Sequence, residues 1–417
     1  RNIFQIDVSE LQGQDIRTDL SRRDFTVNAL ALPLRRDLPA AVKALAVVDP
    51  RGGLADLDRR LLRSESEEVI VADPLRILRA FRIAAQLDFE IAPATLRLLR
   101  RARQRVRRPA AERISAELTA LLALPGCSRW IRLMDETGIL TALFEDLEPG
   151  RQCATVYYGP GGVLKHTLDV VDRLDFLLEN IGRVFSETAL PLGALLPQGL
   201  RRTDLMLAAL LHDVSKPETA RRIAGRLRFF GHDAAGAERA AGILRGLKFP
   251  KETIRAVAAV VAHHLRPGNL AAGGILTDKA VYRFFRDLGQ DAVGLLLVCW
   301  ADHASYIGAE TLQKLLKSAS ADPDSFDASR IRPAQARKTL RHLQLIAELL
   351  RRNFSRERKP VPDRLIDGHE VMKALGLAPG PGVGEALEKV REAQAEGLVR
   401  TKRQALDLLR GWTPKPR

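Results

Sequence analysis

From Asp73 onward, apolar residues recur at helical spacing in almost every segment of the chain. "PLRILRAFRIAAQL", "AERISAELTALLALP", "LDVVDRLDFLLENI", "TDLMLAALLHDVS", "AAGAERAAGILRGL" and "LIAELLRRNF" each place an apolar stripe on one helix face. Ahead of that body the period changes. Alternating apolar positions over Ile3–Ser9 ("IFQIDVS") and a short apolar run over Leu45–Pro50 ("LAVVDP") predict two strands flanking a helix that begins near Asp24. Gly, Pro and polar residues predict breaks at Glu148–Val163, His264–Gly274, Ser318–Asp327 and Asn353–Asp363. No internal repeat is visible. The pattern is that of a mainly α protein with a small mixed fragment in front.

At 417 residues the chain exceeds what one hydrophobic core organises, so two to four domains are expected. The breaks suggest boundaries at 1–71, 72–150, 151–318 and 319–417. With 46% hydrophobic and 28% charged residues the composition is globular. A net charge of +15 and a pI near 10.1 favour a polyanionic partner, since neutralised phosphates release counterions; codon bias is the alternative source of the Arg-rich, Ala-rich composition. Cys127, Cys153 and Cys299 lack metal-ligand spacing and cannot all pair, which argues against a disulfide scaffold and for a reducing, cytoplasmic setting. Apolar runs such as Val293–Ala301 are about half the length a bilayer requires, so no membrane partner is expected.

Two short signatures carry the chemistry: "RRDFTVNALAL" at Arg22–Leu32 and "ADPLRILRAFR" at Ala72–Arg82, separated by "DPRGGLADLDRRLLR" at Asp49–Arg63. Together they resemble the class II tRNA nucleotidyltransferase and bacterial poly(A) polymerase family. The resemblance implies the C-terminal part of an α+β, polymerase-β-like nucleotidyltransferase head, then an all-helical neck. Such an enzyme must choose its base with protein groups, a carboxylate accepting from an exocyclic amine and an Arg donating to the ring edge. The matching pair here is Asp73 and Arg76, expected on one helix face at i and i+3. Arg79 and Arg82 continue that stripe, and the family's preceding Glu is Ala72 here. By the same resemblance Arg22, Arg23, Asp24 and Asn28 handle the triphosphate and ribose, although Asp24 and Asn28 also suit a helix cap.

The family's Gly-Gly and Asp-x-Asp carboxylates, which hold Mg²⁺ for phosphoryl transfer, belong upstream of "RRDFT", before the first residue of this sequence. The chain by itself is therefore expected not to polymerise. Asp56 and Asp58, behind Gly52 and Gly53, are expected to be loop structure rather than metal ligands. Asp7 stands where related polymerases carry a third strand-borne acid; the alternative is an ordinary exposed carboxylate.

Six of eight histidines fall between His166 and His303. The order His166, His212-Asp213, His232, His263-His264, Asp302 resembles the metal-dependent phosphohydrolase domain named for its His-Asp dipeptide. The resemblance implies a divalent ion, of unspecified identity, on His166, His212, Asp213 and Asp302. His232 and His263 are candidates for a second ion or a substrate phosphate. Lys216 could meet a phosphate or serve a helix dipole. Activated water attacking a phosphomonoester or cyclic phosphodiester at an RNA end is the implied reaction. The closing segment Leu365–Leu409 resembles the family's small C-terminal helical unit.

The sequence thus points to a tRNA 3′-end nucleotidyltransferase adding C and A, or A alone, from CTP and ATP with Mg²⁺, with an associated phosphohydrolase domain. Its alternatives are a stand-alone phosphohydrolase, a poly(A) polymerase and a non-catalytic RNA-binding protein. Oligomeric state is not readable from the sequence.

Overall fold

The computed structural model describes residues 10–33, 46–185, 201–272, 276–319, 334–354 and 361–413. They divide into two compact units, 1–152 with 242–251, and 153–241 with 252–417.

The first unit opens with α1 (Ile16–Ser21), capped by the Asp15 carboxylate, which accepts from Thr18 N. The helix expected to begin near Asp24 is only a 3-10 turn, Thr26–Asn28. Tertiary bonds explain the difference. Phe25 is extended and fully buried, Thr26 N donates to Arg63 O at 3.0 Å, and Thr26 Oγ1 donates to the buried Asp56 carboxylate at 2.6 Å. Those partners lie outside any local helix and outcompete it. The Leu45–Pro50 strand reduces, among the described residues, to a single antiparallel bridge between Ala31 and Val48; Ile3–Ser9 lies outside the described residues.

The Gly52-Gly53 turn leads into α2 (Gly53–Asp58), with Asp49 accepting from Gly53 N and Leu54 N. A Cβ on Gly53 would fall 2.2 Å from the Thr26 carbonyl oxygen, so only glycine lets α2 pack there. Helices α3 (Glu67–Ala72), α4 (Arg76–Leu87), α5 (Pro93–Ala102), α6 (Ala111–Leu122), α7 (Cys127–Glu136) and α8 (Ile139–Leu143) follow. A short parallel pair, β1 (Leu61–Leu62) with β2 (Glu90–Ile91), ties the start of this run together. Along α4 the apolar stripe Ile77, Leu78, Phe81 and Ala84 is buried and packs on α6 and α7, leaving Arg76, Arg79 and Arg82 on another side.

The second unit is built on α10 (Gly162–Glu179), which packs on α12 (Arg202–Leu211) and α18 (Ala292–Ser305). Before it come α9 (Thr155–Tyr158), and after it α11 (Ile181–Val184). Helix α18 is buried from Ala292 to Ala301 without a break, the behaviour of a central core helix; no helix of the described residues is long and apolar enough to cross a membrane. Between α12 and α18 the chain forms α13 (Lys216–Thr219), the antiparallel hairpin β3 (Arg221–Ile223) and β4 (Arg226–Arg228), α14 (His232–Gly246), α15 (Lys251–His263), α16 (Arg266–Ala272) and α17 (Asp278–Leu288). The break expected over His264–Gly274 is thus mostly helix, since Pro267 sits in the first turn of α16 where its missing N–H costs nothing.

Beyond α19 (Ala309–Ala319) and α20 (Ala334–Phe354), the helices α21 (Gly368–Leu375), α22 (Pro381–Ala395) and α23 (Lys402–Leu409) share a small core of Ile366, Val371, Ala386, Val390, Ala405 and Leu409. Reciprocal capping boxes at Asp367/Glu370 and Thr401/Gln404 start two of them. This closing unit is not detached from the body: α22 lies on α17, with Glu392 taking Lys279 at 2.6 Å and Arg283 at 2.5 Å.

Candidate functional site

In the first unit, Arg23, Asp24, Asn28, Asp73, Arg76, Arg79 and Arg113 line a cavity of about 460 Å³. Asp73 does not share a helix with Arg76. It follows the last residue of α3 in extended conformation, its carboxylate accepts from Leu75 N at 3.2 Å, and α4 starts only at Arg76. Pro74 disfavours a helical Asp73, which accounts for the break. The two side chains reach one cavity through the turn between helices rather than by helical period.

Arg76 is held by backbone oxygens, donating to Val69 O at 2.8 Å and Arg22 O at 3.1 Å. Arg79 donates to Asp24 Oδ2 at 2.8 Å, while the other Asp24 oxygen accepts from Phe25 N and from Asn28 Nδ2 at 3.2 Å. Asp24 and Asn28 are therefore bonded to each other, and neither excludes a ligand role. Arg23 pairs with Asp19 at 2.7 Å. Arg22 contributes its carbonyl, and its side chain is absent from the lining; Arg82 is turned to Glu117 at 2.5 Å and to Gln86. Asp7 lies outside the described residues. Asp56 lies in α2 rather than in the expected loop; it is buried, and its Oδ2 accepts from Thr26 and from Arg63 at 2.8 Å, a structural clamp.

Arg113, on the first turn of α6, was not singled out from sequence. Its Nη2 lies 2.7 Å from Asp73 Oδ2. Burial pushes the Asp73 pKa up, but the Arg113 hydrogen bond and the Leu75 N–H outweigh it and hold the carboxyl below its ordinary value. At neutral pH Asp73 is an ionised, acceptor-only group. Four arginines against two aspartates leave the lining cationic, which suits a polyphosphate.

The second unit brings six helices to one point. His166 comes from α10, His212 and Asp213 from the end of α12, Lys216 from the start of α13, His232 from the start of α14, His264 from just past α15, and Asp302 from α18. His166 Nε2 lies 3.1 Å from Asp302 and 3.5 Å from Asp213 Oδ2; His212 Nε2 lies 3.1 Å from the same Asp213 oxygen. The other Asp213 oxygen faces His232 at 3.5 Å and His264 at 3.7 Å. Nδ1 of His212, His232 and His264 each donates to a carbonyl three residues upstream, on Ala209, Phe229 and Val261. Those bonds fix the tautomer and turn the Nε2 lone pairs inward.

Ligand atoms of His166, His212 and Asp302, and of Asp213, His232 and His264, form two groups, each within 4.8 Å. Nε2 of His166 and His212, Oδ1 of Asp213 and Oδ1 of Asp302 are buried with no hydrogen-bond partner. Lone pairs of His232 and His264 stand only 3.1 Å apart. Buried acceptors facing each other without donors are stable when a cation lies among them, so the residues fit a divalent ion. Mixed imidazole and carboxylate donors without thiolate suit several first-row ions and Mg²⁺, and do not select one.

It is His264, not His263, that meets His232. His263 is the last residue of α15 and only half-buried, whereas His264 one step around the axis is buried and anchored to Val261. Lys216 is no C-terminal dipole partner either. It opens α13, with Nζ 2.5 Å from Asp213 Oδ2 and 2.9 Å from the Tyr158 hydroxyl. Burial opposes the charge on Lys216 but the Asp213 carboxylate outweighs it and raises its pKa. Asp213 and Asp302 are buried yet held far below the ordinary carboxylate range, by His212 and Lys216 and by His166 respectively. Desolvation drives His264 the other way, down to about 4, so its ring is neutral and able to ligate.

A helical polymerase-type body with a cationic nucleotide-sized cavity, joined to a His/Asp metal-ligand centre, defines a nucleotidyltransferase carrying an HD domain. Family models agree: a poly A polymerase head domain matches residues 4–63, a probable RNA and SrmB-binding site of polymerase A matches 88–150, and an HD domain matches 163–307. The chain is 34% identical over 425 residues to the A-adding tRNA nucleotidyltransferase of Deinococcus radiodurans, covering 99% of this chain and 84% of that protein. It is 34% identical over 420 residues to the CC-adding tRNA nucleotidyltransferase of Thermus thermophilus, covering 98% and 80%. A solved CCA-adding enzyme, in its apo form II, shares the fold with a TM-score of 0.58 at 19% identity, over 95% of this chain and 72% of that one. The chain belongs to the tRNA nucleotidyltransferase and poly(A) polymerase family.

Proposed function

We propose that the protein extends tRNA 3′ ends, adding C and A or A alone from CTP and ATP in the cytoplasm. The observation that supports this most is the cavity in which Asp73 and Arg76 meet the Arg79–Asp24 pair. Ionised Asp73 accepts from the exocyclic amine of adenine or cytosine, and Arg76, fixed by the carbonyls of Val69 and Arg22, donates to the ring edge. Arg23 and Arg79 face the phosphates. The tRNA 3′-hydroxyl attacks the α-phosphorus, the α–β bridging bond breaks and pyrophosphate leaves. Mg²⁺, held by carboxylates other than the residues lining this cavity, would supply activation of that hydroxyl and charge neutralisation. Incorporation of labelled ATP and CTP into tRNA lacking its terminal nucleotides, by the protein as its own cells make it, tests the reading; extension of unstructured RNA in preference to tRNA would instead indicate a poly(A) polymerase.

The buried lone pairs in the second unit favour a second activity, phosphohydrolysis of RNA ends. His166, His212 and Asp302 would hold one divalent ion, and Asp213, His232 and His264 another. A divalent ion there supplies an acidified water and stabilises charge on phosphoryl oxygens. Lys216 fixes Asp213 and adds positive charge beside it. With a terminal 2′,3′-cyclic phosphate, water adds to phosphorus and gives up a proton, one P–O bond to the ribose breaks, and the leaving ribose oxygen takes a proton to become a hydroxyl. Release of a phosphomonoester from 2′,3′-cyclic AMP, dependent on added metal and lost in D302N, tests it.

A further inference from the structure

We propose that the β3–β4 hairpin and the aromatic residues at its base form a platform for single-stranded nucleic acid, which leads the strand's 3′ end to the His/Asp centre. The destination rests on the phosphohydrolase reading above; the platform rests on the hairpin's own chemistry.

The hairpin leaves the centre and returns to it, following Lys216 on one side and preceding His232 on the other. Its segment "ARRIAGRLRFFG" holds four arginines and no acid. Arg221, Arg222, Arg226 and Arg228 are all exposed. Pairing of Arg221 with Arg228 and of Ile223 with Arg226 puts three of the four guanidinium stems on one face. Like charges directly opposite each other weaken a strand pair, and a lone two-stranded hairpin has little stability to spare. No carboxylate relieves the repulsion. Arg221 donates only to the carbonyls of Glu218 and Ala220, and the nearby Glu218 carboxylate is taken by Arg239. The side chains of Arg222, Arg226 and Arg228 have no hydrogen-bond or ion-pair partner among the described residues. The hairpin is therefore a concentration of cations that the fold itself does not use.

Aromatic rings continue from it toward the metal ligands. Phe230 and Tyr157 are 73% and 52% exposed. The Tyr157 hydroxyl donates to Leu227 O at 3.0 Å and so fixes β4 against α9. Its neighbour Tyr158 accepts from Lys216 and stacks on the His166 ring with centroids 4.5 Å apart. Phe229 lies under the same ammonium, 5.6 Å from its ring centre. Exposed rings for bases and unpaired arginines for phosphates are what a single strand binds, without sequence preference. An acidic protein surface would need the cations and not the rings.

The test uses the full protein and an oligonucleotide of about eight nucleotides ending in a 2′,3′-cyclic phosphate. The variant R222Q/R226Q/R228Q is compared with wild type on that strand and on 2′,3′-cyclic AMP. The expected result is a KM raised about tenfold or more on the strand, no change on the mononucleotide, and a salt dependence of strand affinity shallower by about 2 in log–log slope. F230A should weaken the strand about tenfold through lost stacking. A strand carrying 4-thiouridine next to its 3′ end should crosslink within residues 221–232 or at Tyr157. An unchanged salt slope, equal losses on both substrates, crosslinking elsewhere, or equal competition by polyglutamate would overturn the platform. If wild-type protein hydrolyses neither substrate with any divalent ion, the phosphohydrolase reading fails, while salt slope and crosslink position still decide the platform.

Discussion

Arg113 on α6 holds the carboxylate of Asp73 at 2.7 Å across a gap of 40 residues in sequence. One helix turn further on α6, Glu117 takes Arg82 at 2.5 Å and Arg79 at 3.5 Å. A single face of α6 thus answers both signs of charge on the α3–α4 segment and sets the direction of the side chains that line the cavity.

Removing Arg113 should damage selectivity before it damages binding. In R113A, Asp73 loses its principal hydrogen-bond donor, its pKa rises and its orientation is freed. Discrimination of ATP over UTP is expected to fall about tenfold, a charge-assisted hydrogen bond being worth roughly 1.5–3 kcal/mol less the discount for solvent exposure. Nucleotide competition assays check this, and R113K should restore only part because one ammonium cannot reproduce a two-nitrogen fork.

Gly53→Ala should destabilise the first unit by about 1–3 kcal/mol, since the new methyl meets the Thr26 carbonyl and either α2 or the Thr26–Asn28 turn must shift. Urea denaturation measures it. Gly52, at φ 71°, is expected to resist substitution for the separate reason of backbone strain.

Asp213 offers one oxygen to each group of metal ligands. Protein reconstituted with Mn²⁺ should carry about two ions per chain by elemental analysis, following the two groups. H264A should lose about one of them and D213N should lower both, whereas H263A should bind metal like wild type.

Stability should depend on pH through His342. Burial, with the neighbouring His303 stacked on it at 3.8 Å, lowers its pKa to about 4 from 6.5. Between those values the unfolded chain binds the proton and the folded chain does not, so this group's stability contribution is lost as pH falls from 6.5 to 4 and is complete above 6.5. Because the ring is partly exposed, solvent screening reduces its size to about 1–2 kcal/mol. Denaturation midpoints across that window should fall less steeply in H342Q.

Much of this was readable in sequence, and the failures have physical causes. Helices from Arg76 to Leu409 follow their apolar stripes, because burying one face on a neighbour is what stabilises them. Asp73 and Arg76 do line one cavity, but the reason differs: Pro74 ends helical geometry, and a turn delivers what periodicity was expected to deliver. Near Asp24 the sequence reads as helix while Thr26 bonds to Asp56 and Arg63, partners 30 and 37 residues away. Arg113 could have been found only by noticing that Arg113 and Glu117, four residues apart on one helix, are opposite in sign to Asp73 and Arg79 respectively. In the His263-His264 dipeptide both residues are chemically able, and the rotation of α15 chooses between them.

Asp73 and Arg76 are proposed to read the base. Calorimetric binding of ATP, CTP, GTP and UTP to wild type and D73A tests it without requiring turnover. ATP and CTP are expected to bind about tenfold or more tighter than GTP and UTP in wild type, because adenine N6 and cytosine N4 present an amine where guanine O6 and uracil O4 present a carbonyl oxygen to an ionised carboxylate, with the difference abolished in D73A. Equal affinity for all four in wild type, or preference retained in D73A, would contradict it.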